Sequence, residues 1–345
     1  MKNITDFIQP TILTIIPTHR CTAQCEDCCF RCTPRIKQEL SYEDIIKYID
    51  QALLKFSTIK LGVVSGGECF LLGEKLYKII AHLKHQGLYT RIVSNGFWGN
   101  SYETAHLKLS TLKQLGLDEL NLSTGNNHLK FVPLKNIINI CKAAVDLNIR
   151  VCLSIESHND DTSAVKDIIN APILSQLIQN KQVLYIKASW MNFTKREINK
   201  NCLIKPIKQG CNNILTGITI SPYHQLLSCC GLTVENNPFL KAGDVRYNDI
   251  EHLYNNQFND LLKLWLYIDG PLYIYEQIMK QKQIEPEIFP HNCAYCYEII
   301  KDENIGILKY LIRQEYKNII YKIGIQKYTN NLLHNLQKHL SYEND

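Results

Sequence analysis

The chain has 345 residues, 45% hydrophobic and 21% charged, which allows two domains or one large domain with an appendage. Its net charge of +5 is spread out, with no dense Lys/Arg block interleaved with aromatics, which argues against nucleic acid as a partner. No apolar stretch approaches membrane-spanning length and the opening "MKNITDFIQP" lacks a secretory pattern, so a cytoplasmic protein with reduced thiols is expected, its fourteen cysteines serving as metal ligands or reactive groups.

The first β-rich run, "TILTIIP" (11–17), leads into "CTAQCEDCCFRC", five cysteines within twelve residues (21–32). Two sets share the spacing C-x3-C-x2-C: Cys21/Cys25/Cys28 and Cys25/Cys29/Cys32. Three thiolates on one loop can hold three irons of a 4Fe-4S cube, whereas a structural cluster normally has four cysteine ligands. With no fourth partner one iron stays open to a substrate or cofactor. A zinc site is the competing reading, but it needs four closed ligands, and x3 followed by x2 on one loop is unusual for it.

Further strands are expected at 59–65, 89–94, 118–123, 150–156 and 182–189, with helices near 41–56, 73–86, 102–115, 133–148 and 161–180 between them. Ser41 with Asp44 forms a capping box, and Gly87 and Gly116 act as stops. Strands alternating with helices imply a parallel sheet built by right-handed crossovers, as a barrel, a partial barrel or an open sheet. Residues that follow such strands sit at the C-terminal edge, where sites are built.

After about residue 195 the rhythm changes. A linker is expected first. A β-hairpin turning at "SPYHQ" (221–225) comes next, then helices at about 249–268 and 272–282, and a loop holding Pro286, Pro290, Cys293 and Cys296. The last forty residues read as a packed terminal helix. Cys211, Cys229, Cys230, Cys293 and Cys296 form a second constellation, four of which are enough to close a metal site. Zinc and iron–sulfur are both open there, since spacing does not separate them.

The chain resembles the radical S-adenosylmethionine (SAM) enzymes over roughly residues 11–190. "CTAQCEDC" is similar to the cluster motif, "SGGE" (65–68) to the glycine-glycine-glutamate motif, "SNG" (94–96) to a turn that often ends the third strand, and "LSTGNNH" (122–128) to a Ser-x-x-x-x-His pattern. The resemblance implies a partial (β/α)6 TIM-like barrel over 1–195, a small α+β auxiliary-cluster domain of the short "twitch" form over 196–300, and a helical tail over 301–345. It places the catalytic 4Fe-4S cluster on Cys21, Cys25 and Cys28, the first register, because Cys21 starts directly after "THR". Cys29 and Cys32 are then spare and packed.

The open iron would chelate SAM, and one electron would cleave it to a 5′-deoxyadenosyl radical that abstracts hydrogen from a substrate. Gly66 and Gly67 would let the backbone approach SAM, and Glu68 would accept from its amino group. Ser94, Asn95, Ser123 and Glu156 would contact it; His128 and Lys187 are further candidates. A second 4Fe-4S cluster would sit on Cys211, Cys229, Cys293 and Cys296. By local likeness to radical SAM peptide epimerases ("CTAQCEDCCFRCTP", "SNGFWG", "HLKFVP", "CC"), Cys230 would donate a hydrogen atom to a substrate radical; a packed spare thiol is the alternative. A ribosomally made precursor peptide and an electron donor such as flavodoxin or ferredoxin are the implied partners. Peptide cross-linking, small-molecule chemistry and a non-catalytic zinc or redox-sensor role remain open. Cys69, Cys141, Cys152 and Cys202 have no partners at ligand spacing.

Overall fold

A computed structural model describes residues 7–157, 163–189, 208–289 and 291–342. Cys202, Pro290 and most of the expected linker lie outside the described residues. The elements run β1 (Ile12–Ile15), α1 (Tyr42–Lys55), β2 (Leu61–Val64), α2 (Glu74–His85), β3 (Tyr89–Ser94), α3 (Tyr102–Gln114), β4 (Glu119–Gly125), α4 (Leu134–Asp146), β5 (Arg150–Ser157), α5 (Ser163–Asn170), α6 (Pro172–Gln179) and β6 (Val183–Ser189). After these come β7 (Gly217–Ile220), β8 (Gln225–Leu227), β9 (Lys241–Asp244), α7 (Ile250–Asn256), α8 (Leu261–Ile268), α9 (Gly270–Lys282), α10 (Asn292–Glu298) and α11 (Asp302–Tyr342).

One sheet of nine strands has the order β6-β5-β4-β3-β2-β1-β7-β8-β9. β1 to β6 are parallel neighbours in chain order, the arrangement of a partial TIM-like barrel. β7 joins parallel to β1, and β8 and β9 follow antiparallel. All six βα ends of the parallel half therefore open at one edge of the sheet.

Local chemistry explains most boundaries. Ser41 Oγ accepts from the Asp44 N–H at 3.0 Å and donates to its carboxylate at 2.7 Å, the capping box that starts α1. The expected helix over 161–180 is two helices, because Pro172 has no N–H to continue α5 and instead opens α6. The expected helix over 249–268 also breaks. Asp260 turns its carboxylate onto the Leu262 N–H at 3.0 Å and begins α8 afresh. The expected Cys293/Cys296 loop is helix α10, capped by His291 Nδ1 accepting from the Cys293 N–H at 3.0 Å.

The described residues pack into two hydrophobic cores. The main core runs from Leu13 through Val183 and also takes in Ile218, Ile220, Leu226, Ile250 and Tyr254 from the hairpin and α7. A second core joins Leu227, Trp265, Ile274 and Tyr295 to Leu308, Leu311, Ile319 and Ile323 of α11. The first half of α11 is thus part of that core, and Lys322 clamps it to Asp269 at 2.7 Å. No helix among the described residues is long and apolar enough to cross a membrane.

Candidate active site at the strand ends

The cysteine loop is closed at its base. Arg20 bridges to Thr33, and the Cys21 N–H donates to the Thr33 carbonyl at 3.2 Å. The end of β2 then docks on it: the Gly67 N–H donates to Thr18 O and the Glu68 N–H to Arg20 O, both at 2.8 Å. A Cβ on Gly67 would stand 2.2 Å from Arg20 O, so only glycine permits this approach. The clearance expected for SAM is therefore first a clearance for the loop's own backbone.

Cys21, Cys25, Cys28, Cys29 and Cys32 line one cavity of about 170 Å³, together with Ser65, Gly66, Gly67, Ser94, Asn95, Ser123 and His128. Both registers of thiols thus face it. One contact distinguishes them. Cys28 Sγ accepts hydrogen bonds from the Cys32 side chain and from the Cys32 N–H, the latter at 3.4 Å, and this draws the Cys28 thiol down to about 6 while Cys32 is driven up. Burial raises Cys21 to about 11 and Cys25 to about 12. Cys32 is a buried, protonated partner packed beside Cys21 and Ala23. Asn95 Nδ2 donates to Cys21 Sγ at 3.5 Å and to Thr22 Oγ1 at 3.1 Å.

Two expected contacts are placed differently. The Glu68 carboxylate is fully buried, accepting from the N–H groups of Phe70 (3.0 Å) and Asn95 (2.8 Å) and from the Ser94 hydroxyl (2.9 Å), so it ties β2 to β3 and is not among the cavity's lining groups. Burial, opposed by those bonds, raises it to about 7. Glu156 is likewise buried. It accepts from the backbone N–H of Asn127 and that of His128 (3.0 Å), with the His128 ring at 3.3 Å. Both glutamates hold strand ends in place, because backbone donors at those ends reach them first. Ser94, Asn95, Ser123 and His128 do line the cavity, and Lys187 is exposed on β6. Cys69 is buried and donates to Val93 O at 3.3 Å; Cys141 is buried too.

A second cavity, about 230 Å³, is lined by Cys211, Cys229, Cys293 and Cys296, with Gly231, Thr233 and His291. Cys293 and Cys296 stand three apart on α10, one face of a helix. Cys211 is anchored by its N–H to Leu266 O at 2.9 Å, and Cys229 follows β8. Asn237 Nδ2 lies 3.8 Å from Cys296 Sγ. Burial raises Cys229 and Cys296, and takes Cys293 to about 12. Cys230 is exposed and stands outside the lining. Among the described residues no three His, Cys, Asp or Glu groups converge on a single-ion site. Thiols spread around a cavity suit a polynuclear cluster, which carries each ligand on a separate iron.

Two buried residues of the first site escaped sequence reading: Asp27, within the cysteine loop, and Asn127, whose Nδ2 donates to Asp27 at 2.9 Å. The only available signal was an acid standing between two cysteines.

Residues 15–155 match the family described as the Radical SAM superfamily, a span shorter than half of the 345-residue chain. YydG of Bacillus subtilis (strain 168), whose name assigns it to peptide biosynthesis, is 24% identical over 184 residues, 52% of this chain. The match spans 57% of that relative's length. The solved structure of native anSMEcpe with bound AdoMet covers 88% of this chain and 100% of its own, at 12% identity and a TM-score of 0.53. The same protein with AdoMet and the Cp18Cys peptide gives 88% and 99%, at 13% and 0.55, so the fold is shared. With its cysteine loop, its glycine pair, β2 to β4 and most of β5 inside the matched span, the chain is similar over residues 15–155 to the Radical SAM superfamily.

Proposed function

We propose that this protein is a radical SAM enzyme acting on a ribosomally made peptide, with Cys21, Cys25 and Cys28 holding the catalytic 4Fe-4S cluster. The observation that carries the reading is the first cavity, where three loop thiols meet the Gly66–Gly67 backbone and Ser94, Asn95, Ser123 and His128 at the C-terminal edge of a parallel sheet. When bound, the cluster and SAM supply an electron, a cleaved sulfonium bond and a carbon radical that takes hydrogen from substrate.

The chain's own residues bind and orient. Asn95 supports Cys21 by a hydrogen bond to sulfur, a contact that tunes cluster potential. Glu68 and Ser94 fix the β2 and β3 ends that form the cavity wall. The polar lining of Ser123 and His128 suits the amino, carboxylate and ribose groups of SAM. Cys211, Cys229, Cys293 and Cys296 would hold the auxiliary cluster. Cys230, exposed beside them, offers an S–H to a peptide radical: the S–H bond breaks, a C–H bond forms, and the thiyl left behind is reduced by one electron and a proton. The peptide substrate rests on likeness to YydG, and a flavodoxin or ferredoxin is the expected electron source.

The test is anaerobic reconstitution followed by iron counting and incubation with SAM, a reductant and candidate peptides in deuterated solvent. About eight irons per chain, 5′-deoxyadenosine and solvent deuterium in the peptide support the reading. In Cys230→Ala, both clusters and SAM cleavage should persist while deuterium incorporation stops. Full deuterium uptake in that variant removes the donor role from Cys230 and points to a different hydrogen donor, whereas a peptide product of the parent protein that carries no deuterium favours cross-linking.

A further inference from the structure

Asp27 sits inside the Cys25–Cys28 turn, itself closed by the Cys28 N–H donating to Cys25 O at 3.2 Å. Its carboxylate accepts from Asn127 Nδ2 at 2.9 Å, and the backbone N–H of Asn127 donates in turn to Glu156. Asp27, Asn127 and Glu156 are 2%, 2% and 1% exposed, so the chain acid–amide–acid runs through the interior. Burying two carboxylates is costly unless donors meet them, and an apolar loop would close the same space without that penalty. Such a network is justified by what it orients. At the other end of the loop Asn95 holds Cys21 and Thr22. Besides the docking of β2 through Gly67 and Glu68, side-chain amides from two different places therefore hold the loop, Asn95 at the end of β3 and Asn127 beyond β4 with its link to β5.

We propose that Asp27 and Asn127 are positioning residues that fix the Cys25–Cys28 turn to the β4 and β5 ends, independently of the Asn95 hold on Cys21, and so set the geometry in which those two thiols present a cluster to SAM. This rests on reading the loop as the cluster site. Asn127 immediately precedes His128, which lines the cavity, so the same amide couples the cavity wall to the turn.

The test reads the turn with and without iron. In the full chain before cluster loading, iodoacetamide labelling of each loop cysteine is followed by mass spectrometry. Asn127→Ala and Asp27→Ala should speed alkylation of Cys25 and Cys28 about tenfold, the scale of one hydrogen bond to a charged group, with Cys21 unchanged. Asp27→Asn keeps an acceptor for the Asn127 amide and should stay within about threefold of the parent. After loading, Asn127→Ala should keep its iron but show a higher KM for SAM and a shifted paramagnetic signal of the reduced cluster. An unchanged Cys25 to Cys21 labelling ratio overturns the proposal. So does equal acceleration at all three cysteines, which would mean general loosening, and so does Asp27→Asn as fast as Asp27→Ala, which would mean a charge effect. If instead the loop takes up no iron while the labelling contrast holds, the cluster reading fails and the clamp stands.

Discussion

In the first cavity every cysteine comes from one twelve-residue loop, whereas the second gathers its four from three places far apart in the chain, residues 211, 229 and the 293/296 pair. The first is shaped by strand ends: β2 docks through Gly67, β3 through Asn95, β4 and β5 through Asn127 and Glu156. The second is shaped by the packing of α8, α9 and α10 around the hairpin. A site on one loop can keep thiols in excess, since its precision comes from the wall it leans on. A site assembled from distant segments has each thiol set by different packing, so each substitution there also touches a core.

The sharpest way to break this contrast is to remove one thiol from each side. Cys25→Ala should abolish reductive SAM cleavage and lower iron from about eight to about four per chain. Cys293→Ala should lose a similar share of iron, retain SAM cleavage, and also lower thermal stability, because α10 packs in the second core. Loss of SAM cleavage in Cys293→Ala, or its survival in Cys25→Ala, would reverse the assignment of the two cavities.

Next in size is Glu68→Ala. Removal of the carboxylate leaves the buried Phe70 and Asn95 N–H groups and the Ser94 hydroxyl without their acceptor, which should cost about 3 kcal/mol of stability. Cleavage should fall because the β3 end that carries Asn95 loosens. A variant with full thermal stability and a selective loss of SAM affinity would return Glu68 to direct contact with the cofactor.

Gly67→Ala tests the docking of β2 on the loop. The added Cβ meets Arg20 O at 2.2 Å, backbone against backbone, so the loop must shift. The expected cost is about 2 kcal/mol, seen as a melting temperature lowered by about 5 °C, with slower cluster loading at the first cavity. Normal loading would show that the loop does not need this anchor.

How far the sequence foresees each cavity follows the same contrast. The run 89–94 coincides with β3, where buried and half-buried residues alternate, and the strand-end motifs land on one edge because parallel crossovers leave no other choice. The four thiols grouped from the sequence for a second site line one cavity. Their setting was not foreseen. "NCAYCYE" lies just after prolines, and its cap is a histidine ring, so nothing local announces α10. "KAGD" has no β-rich pattern and becomes β9 only by pairing with β8. The pairing of β7 with β1 was not legible in the sequence, because it joins residues some 205 apart, as Thr11 and Thr216 illustrate. The inward turn of Glu68 and Glu156 was equally hidden, because the backbone N–H groups that capture them come from other strands.

The smallest expected effect comes from Cys32→Ala. Cys32 is buried beside Cys21 and Ala23, and it donates to Cys28, whose thiol it helps draw down to about 6. As a protonated neighbour it would be dispensable to a cluster on Cys21, Cys25 and Cys28. Replacement by alanine removes one sulfur from a packed site and one weak donor, a loss of about 1 kcal/mol. Iron content and SAM cleavage should stay close to the parent, with the reduction potential of the first cluster somewhat lower, since a hydrogen bond to a cluster sulfur favours the reduced form. Retained iron with an unchanged potential would mean that Cys32 only fills space. Loss of half the iron in Cys32→Ala, with Cys21→Ala still active, would move the cluster to Cys25, Cys29 and Cys32 and leave Asn95 holding a thiol that binds nothing.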